Sequence, residues 1–255
     1  MQLNKDNYHS REANEQYYSA SFIKSMIECP AMAMAELRGE YMRKPSKALL
    51  VGSYVDSYFG GQDEFQQFKA NHPEMFKKNG ELYSDFIRAD EMIQKAISDP
   101  LFMEFMQGKK QVIITGTIFG YPFKIKLDVL KEGERIVDLK TVKDMEPIYK
   151  EGQGKVTFAE FWNWVLQMAI YQTVEGNQLP TYLNVVTKED PPDIAVIEIP
   201  QHHIDAEMEV LAEKMPYFDA IKSGVIEPPR CDKCAYCRET RVLSRAINLD
   251  DLSEF

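Results

Sequence analysis

Three β-rich runs in the middle of the chain constrain its fold more than any other feature. The runs are QVIITGTIF (111–119), PFKIKLDVL (122–130) and RIVDLKTV (135–142), with breaks at GYP and KEGE. Runs rich in β-branched and aromatic residues, bounded by turn residues, are typical of strands, and such short connections join antiparallel neighbours. The sequence therefore predicts a three-stranded antiparallel meander.

Helical patterns surround this meander. Two further strands are predicted at LPTYLNVVTK (179–188) and DIAVIEIP (193–200), after the meander. Helical segments are predicted at 19–39, interrupted at Pro30, and at 47–61, 84–100, 158–176 and 203–224. Strands in the middle, with helices before, between and after them, indicate a mixed α/β (α+β) fold with one central mixed sheet between helices.

The predicted organisation is one domain with two appended ends. A chain of 255 residues with no internal repeat and no low-complexity linker can form a single large domain. We expect residues 1–18 to be a flexible polar segment and residues 19–245 to form the domain. The acidic stretch at 246–255, which contains NLDDLSEF, is expected to be a tail.

Charge and hydropathy exclude several classes of protein. The net charge of −10 argues against a protein that coats DNA non-specifically, although a local basic channel could still bind DNA. The first eighteen residues have no apolar signal-peptide core, and no apolar run is long enough to span a membrane. We therefore expect a cytoplasmic protein whose four cysteines are not disulfide-bonded.

The second hairpin of the meander carries charges that do not suit a simple packed sheet. If EGE (132–134) is the loop, Asp128 lies roughly opposite Asp138 across the hairpin, and Lys140 shares the strand face of Asp138. Opposed like charges destabilise a sheet, but a divalent cation between them would reverse the effect. Carboxylates suit Mg²⁺ or Mn²⁺. The alternative is a solvated hairpin face with an incidental ion pair.

Three spaced motifs resemble one nuclease superfamily. Asp128 followed by IVDLKT, with Asp138 and Lys140, resembles the PD-(D/E)XK motif, and LQMAIYQ, with Gln167 and Tyr171, resembles Q-x-x-x-Y. LLVGSYVDSYF resembles the G-x-x-x-H element, with Asp56 at the histidine position. These are the motifs of the RecE/RecB/AddB-like branch, which includes phage exonucleases. The resemblance spans about 19–245.

The resemblance implies a restriction-endonuclease-like core and a role for each motif residue. Mg²⁺ or Mn²⁺ would be bound by Asp56, Asp128, Asp138 and the backbone carbonyl of Leu139. Lys140 would orient the attacking water, while Gln167 and Tyr171 would brace the site or touch DNA. The alternative for Gln167 and Tyr171 is a polar pair inside a helix-packing surface.

Four cysteines form a second candidate metal site. Cys231, Cys234 and Cys237 have C-x2-C-x2-C spacing, and Cys29 is far away in the sequence. Such a set can hold Zn²⁺ or an iron–sulfur cluster. The tight spacing, and the resemblance to AddB-type nucleases, favour a [4Fe–4S] cluster that joins the two chain ends. Zinc and the absence of any metal remain alternatives.

The resemblance also implies partners. We expect the ends of double-stranded DNA as substrate, a single-strand annealing recombinase as partner, a homo-oligomeric ring, and a bacterial host cell infected by phage or carrying a prophage. Candidate DNA-binding residues are Ser21, Lys24, Lys143 and Lys155. The alternative function is a catalytically inactive DNA-binding or adaptor protein on the same fold, because Asp56 departs from the motif.

Overall fold

The computed structural model describes residues 1–243, 246, 248 and 249. Its helices are α1 (Arg11–Gln16), α2 (Ala20–Glu28), α3 (Pro30–Arg38), α4 (Lys47–Gly60), α5 (Gln62–Asn71), α6 (Ser84–Ile97), α7 (Pro100–Phe105), α8 (Phe158–Phe161), α9 (Trp164–Glu175), α10 (Gln201–Lys222) and α11 (Ala235–Glu239). Its strands are β1 (Lys109–Ile118), β2 (Tyr121–Lys131), β3 (Arg135–Val142), β4 (Ile148–Lys150), β5 (Gly154–Val156), β6 (Thr181–Thr187) and β7 (Ile194–Ile199). None of these helices has the length and apolarity needed to cross a membrane.

The main sheet has five strands in the order β1-β2-β3-β6-β7. The pairs β1–β2, β2–β3 and β6–β7 are antiparallel, whereas β3 and β6 are parallel. The connection between β3 and β6 carries α8 and α9, as a parallel crossover requires. The predicted mixed α/β fold with an antiparallel meander is therefore confirmed.

The pairing of β2 with β3 is short. It covers Val129↔Val137, Leu130↔Ile136 and Lys131↔Arg135 and then stops. The same register, continued by one residue, would place Asp128 opposite Asp138. At this point a side-chain hydrogen bond replaces the backbone pairing between the strands. The Leu139 amide donates to Asp128 Oδ2 at 3.0 Å.

Two hydrophobic layers cover the sheet. One layer packs Ile125 and Leu127 against α9, with α2 and α10 behind it, and the other packs Val137 and Leu139 against α4 and α6. Because strand residues alternate between faces, Asp138 and Lys140 lie on the α9 side, the side of Ile136. The catalytic candidates of β3 therefore face α9.

Two elements differ from the sequence prediction. The helix expected at 158–176 is broken into α8 and α9, because Asn163 adopts a left-handed conformation with φ 52°. A capping box formed by Thr157 and Glu160 starts the first piece. The small two-stranded sheet of β4 and β5 was not predicted, since each strand has only three residues.

The N-terminal segment packs on the domain. Tyr8, Ala13 and Tyr18 are buried. The Tyr18 amide donates to the Pro122 carbonyl, and the Lys124 amide donates to the Tyr18 carbonyl, both at 2.8 Å. The segment expected to be flexible, residues 1–18, thus has buried residues and backbone hydrogen bonds to β2. At the other end, most of the predicted acidic tail (246–255) lies outside the described residues.

Candidate active site

A cleft of about 1090 Å³ opens beside the point where β2 and β3 stop pairing. Its wall includes side chains from four elements that are far apart in the sequence. These are Asp56 on α4, Asp128 on β2, Asp138, Leu139 and Lys140 on β3, and Gln167 and Tyr171 on α9. The fold thus brings all seven residues of the nuclease-like motifs to one cavity.

Asp138 is the most deeply buried acid of the cleft, with 2% of its surface exposed. Its Oδ1 accepts a hydrogen bond from Gln167 Nε2 at 2.8 Å, and its Oδ2 forms an ion pair with Lys140. Burial acts to lower the pKa of Lys140, but the charges of Asp138 and Asp128 outweigh it and raise that pKa. The neighbouring carboxylates therefore favour the charged form of Lys140.

Gln167 is held at both ends of its amide. Besides its bond to Asp138, Nε2 donates to the Tyr171 hydroxyl at 3.1 Å. Its Oε1 accepts from Lys24 Nζ at 2.7 Å. A hydrogen-bonded chain therefore runs from Lys24 through Gln167 to Asp138. The predicted i,i+4 pair is part of this polar network in the cleft.

Burial and neighbouring carboxylates make the charged forms of Asp128 and Asp56 unfavourable. Burial, followed by the charges of Asp138 and Asp56, raises the pKa of Asp128 well above its usual value. Burial and the charge of Asp138 raise the pKa of Asp56 to about 6. Such mutual repulsion is what a bound cation would relieve.

The donor set fits a hard divalent cation. Its donors are carboxylate oxygens, and Asp138 Oδ2 is buried and accepts no hydrogen bond from the described chain apart from its ion pair with Lys140. The three aspartates are not gathered into as compact a group as the four cysteines, which form the one candidate metal cluster found among the described residues.

Gly52 explains how α4 brings Asp56 to the cleft. A Cβ atom at Gly52 would lie 3.1 Å from Thr141 Oγ1, so a side chain here would require Thr141 or α4 to shift. Asp56 follows one helical turn later on the same face. The G-x-x-x-D spacing thus couples a close helix–strand contact to a carboxylate.

Two of the four predicted DNA-binding residues line the cleft, and two do not. Ser21 and Lys143 line the cleft, and Lys143 is 94% exposed on its side chain. Lys24 does not line the cleft, but its ammonium donates a hydrogen bond to Gln167, which does. Lys155 is exposed on β5 and does not line the cleft.

Several cleft residues were missed by the sequence analysis. Lys126 shares the strand face of Asp128, and that spacing could have identified it. Trp164 lies under the Lys140 ammonium, whose Nζ is 5.3 Å from the ring centroid. Trp162 and Tyr149 line the cleft but are 53% and 71% exposed. Tyr8 and His9 also line the cleft, together with other residues of its outer wall.

The four cysteines form a separate cluster. Their sulfurs all lie within 4.8 Å of one another. Cys29 and Cys237 are buried, whereas Cys231 and Cys234 are half-buried. The cluster joins the junction of α2 and α3 to the segment that contains α11. The predicted grouping of these four residues is therefore present.

Comparison with known proteins gives a family and a solved structure. The family model described as "PDDEXK-like domain of unknown function (DUF3799)" matches residues 19–240. A crystal structure of a "Putative exonuclease" from Eubacterium rectale is 38% identical, with a TM-score of 0.95 over 99% of this chain and 98% of that one. A second structure, SSO0001, is 13% identical with a TM-score of 0.27 over 76% and 84% of the two chains, which is too dissimilar to support an argument. No curated protein matches the chain.

Proposed function

Because the chain belongs to the PDDEXK-like family DUF3799, we propose that it is a metal-dependent deoxyribonuclease that digests DNA from linear ends. Support comes from the relative described as a "Putative exonuclease", which matches this chain over nearly its whole length. One observation carries the proposal: Asp138, Lys140 and Gln167 form a single buried network beside a gap in the sheet.

The proposed ligands of Mg²⁺ or Mn²⁺ are the carboxylates of Asp56, Asp128 and Asp138 and the carbonyl of Leu139. When bound, such a metal polarises the phosphate and lowers the pKa of a water molecule. Gln167 occupies one oxygen of Asp138, and Leu139 N–H occupies one oxygen of Asp128. One oxygen of each carboxylate is thereby held by the protein, and the second oxygen of Asp138 forms the ion pair with Lys140.

Lys140 is proposed to orient the attacking water and to offset negative charge that develops on the phosphate. Its ammonium is held between Asp138 and the Trp164 ring, so its position is fixed before substrate arrives. Tyr171, which accepts a hydrogen bond from Gln167, is proposed to brace that amide. Ser21, Lys24, Lys143 and Lys155 are proposed to contact the DNA backbone.

The biological setting is proposed from the resemblance alone. Residues 19–245 would act as one nuclease domain in the cytoplasm of a bacterial host cell, during phage or prophage recombination. The proposed substrate is the end of duplex DNA, and the proposed partner is a single-strand annealing recombinase. A homo-oligomeric ring that encloses the DNA belongs to the same proposal.

The four cysteines are proposed to hold a structural metal centre. Their spacing along the chain favours a [4Fe–4S] cluster, with Zn²⁺ as the alternative. The distances between the folded sulfurs favour a single ion.

The test is digestion of linear duplex DNA labelled at its 5′ or 3′ end, with Mg²⁺ or Mn²⁺. We expect metal-dependent release of label by the wild type and at least about a 100-fold loss in Asp138→Ala and Lys140→Ala, as for removal of electrostatic groups in other active sites. Lys109→Ala is the matched control, because Lys109 is an exposed lysine outside the cleft. The label released first gives the polarity.

Absence of digestion by the wild type, with DNA still bound, would contradict the proposal. It would favour a DNA-binding or adaptor protein that lacks turnover. Asp56, which stands where the motif has histidine, favours this second function. In that case Asp56→His would be the variant to assay next, since it restores the motif.

A further inference from the structure

The distances between the cysteine sulfurs identify the kind of metal centre they can form. Cys29 Sγ lies 3.6 Å from Cys237 Sγ, and Cys231 Sγ lies 3.9 Å from Cys237 Sγ. All four sulfurs lie within 4.8 Å of one another. From this spacing we propose that Cys29, Cys231, Cys234 and Cys237 bind one tetrahedral Zn²⁺ ion and not a [4Fe–4S] cluster.

Simple geometry supports a single ion. Zinc–thiolate bonds are about 2.3 Å long, so four sulfurs at the corners of a regular tetrahedron around zinc are about 3.8 Å apart. The distances of 3.6 and 3.9 Å lie on either side of this value. One ion would therefore fit between the sulfurs with small adjustments.

A [4Fe–4S] cluster does not fit the same space. Each of its four irons bonds one cysteine, so a cube of four irons and four sulfides would lie between the thiolates. The sulfurs would then have to stand much further apart than they do here. The expectation from the C-x2-C-x2-C spacing thus disagrees with the folded arrangement of its residues.

Backbone amides hold two of the sulfurs in place. The Cys234 amide donates to Cys231 Sγ at 3.3 Å, and the Cys237 amide donates to Cys234 Sγ at 3.4 Å. Each C-x2-C repeat therefore fixes the position of its first sulfur through its own backbone.

The role of this ion is structural. All four tetrahedral positions are filled by protein sulfur, so no position is open for a substrate or a water. The site is supported by the Ala31 amide, which donates to the Pro229 carbonyl at 3.1 Å, and by Arg230, which donates to the Cys237 carbonyl at 2.7 Å. Zinc would fix the C-terminal end of α2, the helix that carries Lys24.

The test is metal analysis of full-length protein purified without oxygen from cells supplied with both zinc and iron. We expect about one zinc per chain, little iron and no acid-labile sulfide. Replacement by Co²⁺ should give the intense visible absorption of a tetrahedral cobalt–thiolate site. Iron with an equal amount of sulfide, iron alone, or no metal would each overturn the proposal.

Variants assign the metal to these cysteines. Cys231→Ser should lower the zinc content and the unfolding temperature, whereas Lys233→Ala, an exposed neighbour with no ligand atom for zinc, should change neither. If Cys231→Ser does not fold, thiol counting decides the question. The chain has four cysteines, so none should react in the native zinc form and all four after chelation. None of these measurements uses DNA, so they stand whether or not the protein is a nuclease.

Discussion

Gln167 connects more of the proposed active site than any other single side chain described here. Its amide nitrogen donates hydrogen bonds to Asp138 and Tyr171, and its amide oxygen accepts one from Lys24. The two ends of an amide are not interchangeable, so this network defines which way the side chain points. Catalysis should therefore be sensitive to the chemistry of this residue as well as to its size.

Gln167→Glu is expected to reduce the rate of DNA digestion about 100-fold. The substitution removes the donor to Asp138 and places a second negative charge beside it, and a hydrogen bond to a charged group contributes about 1.5–3 kcal/mol. Gln172→Glu is the matched control, because Gln172 is also a buried glutamine of α9. Its amide nitrogen donates to the Leu179 carbonyl and to Gln201 Oε1, away from the proposed site. Steady-state rates and unfolding temperatures of both variants should be compared. Equal rate losses would mean that α9 tolerates no buried carboxylate and that Gln167 has no special role.

Lys24→Met is expected to lower the digestion rate by at least about 10-fold, since it removes a charge-assisted hydrogen bond to Gln167. Burial, and then the charge of Lys140, lower the pKa of Lys24 to about 8, although the residue as a whole is only half-buried. Lys143→Met is the comparison, because Lys143 lines the cleft with an almost fully exposed side chain. A larger rate loss in Lys143→Met than in Lys24→Met would place the important positive charge at the rim.

At the level of elements, the break between α8 and α9 determines what the cleft presents to solvent. Asn163 is left-handed, a conformation that asparagine tolerates better than most residues. As a result, Trp164 packs near Phe158 with ring centroids 5.9 Å apart, while Trp162 remains half exposed at the cleft. A continuous helix would have put the two tryptophans on different faces of one rod.

Trp162→Ala is expected to weaken binding of single-stranded oligonucleotides by about 1–3 kcal/mol, the usual contribution of one base stacked on an aromatic side chain. The measurement is a fluorescence-anisotropy titration, with Mg²⁺ replaced by Ca²⁺ to suppress digestion. Tyr217→Ala is the control, because Tyr217 is an exposed aromatic residue on α10 that does not line the cleft. Unchanged affinity in Trp162→Ala would show that the exposed ring does not meet the bases.

The sequence could predict the elements with strong periodicity and missed those that depend on a single backbone residue. The meander, its register and the grouping of Asp128, Asp138 and Lys140 follow from strand alternation and a short turn. The break at Asn163 depends on one left-handed residue inside an apolar helical pattern, which periodicity does not reveal. The hydrogen bond from Lys24 to Gln167 depends on how α2 packs against α9, which is a tertiary contact.

At the level of the whole molecule, the N-terminal segment is attached by a buried lysine. Lys124 is 1% exposed, and its ammonium contacts the Tyr8 carbonyl, Asn14 Oδ1 at 2.7 Å and the Tyr8 ring. All these partners are neutral, and the nearby His9 and Lys222 are basic groups. Burial accordingly lowers the pKa of Lys124 to about 8.

This lysine should make stability depend on pH. In the unfolded chain its pKa is about 10.4, so between pH 8 and 10.4 the unfolded state binds more protons and stability through this group rises with pH. The free energy of unfolding of the wild type minus that of Lys124→Met should therefore increase from pH 7 to pH 10, by on the order of 3 kcal/mol. The difference between their unfolding temperatures should increase in the same direction. Lys109→Met, at an exposed site, should show no such trend. A difference that stays flat for Lys124→Met would mean that its ammonium is as well solvated as in the unfolded chain.

The cleft wall combines charges of both signs. Its four lysines are Lys126, Lys140, Lys143 and Lys188, and its five acidic residues are Asp56, Asp128, Asp138, Asp144 and Glu146. A divalent cation at the proposed aspartate ligands would offset their charge, and the lysines would then attract a DNA backbone. Substrate affinity should therefore fall with salt, although the protein as a whole is acidic.

The hydrogen bond between the Leu139 amide and Asp128 gives the protein a natural spectroscopic probe. Most amides in the sheet report on neighbouring strands, but this one reports on a carboxylate of the proposed metal site. In a ¹⁵N-resolved NMR spectrum its proton shift should move when Mg²⁺ is added, and its neighbours along β3 should move less. One assigned resonance would thus follow occupancy of the site in solution, without DNA and without turnover.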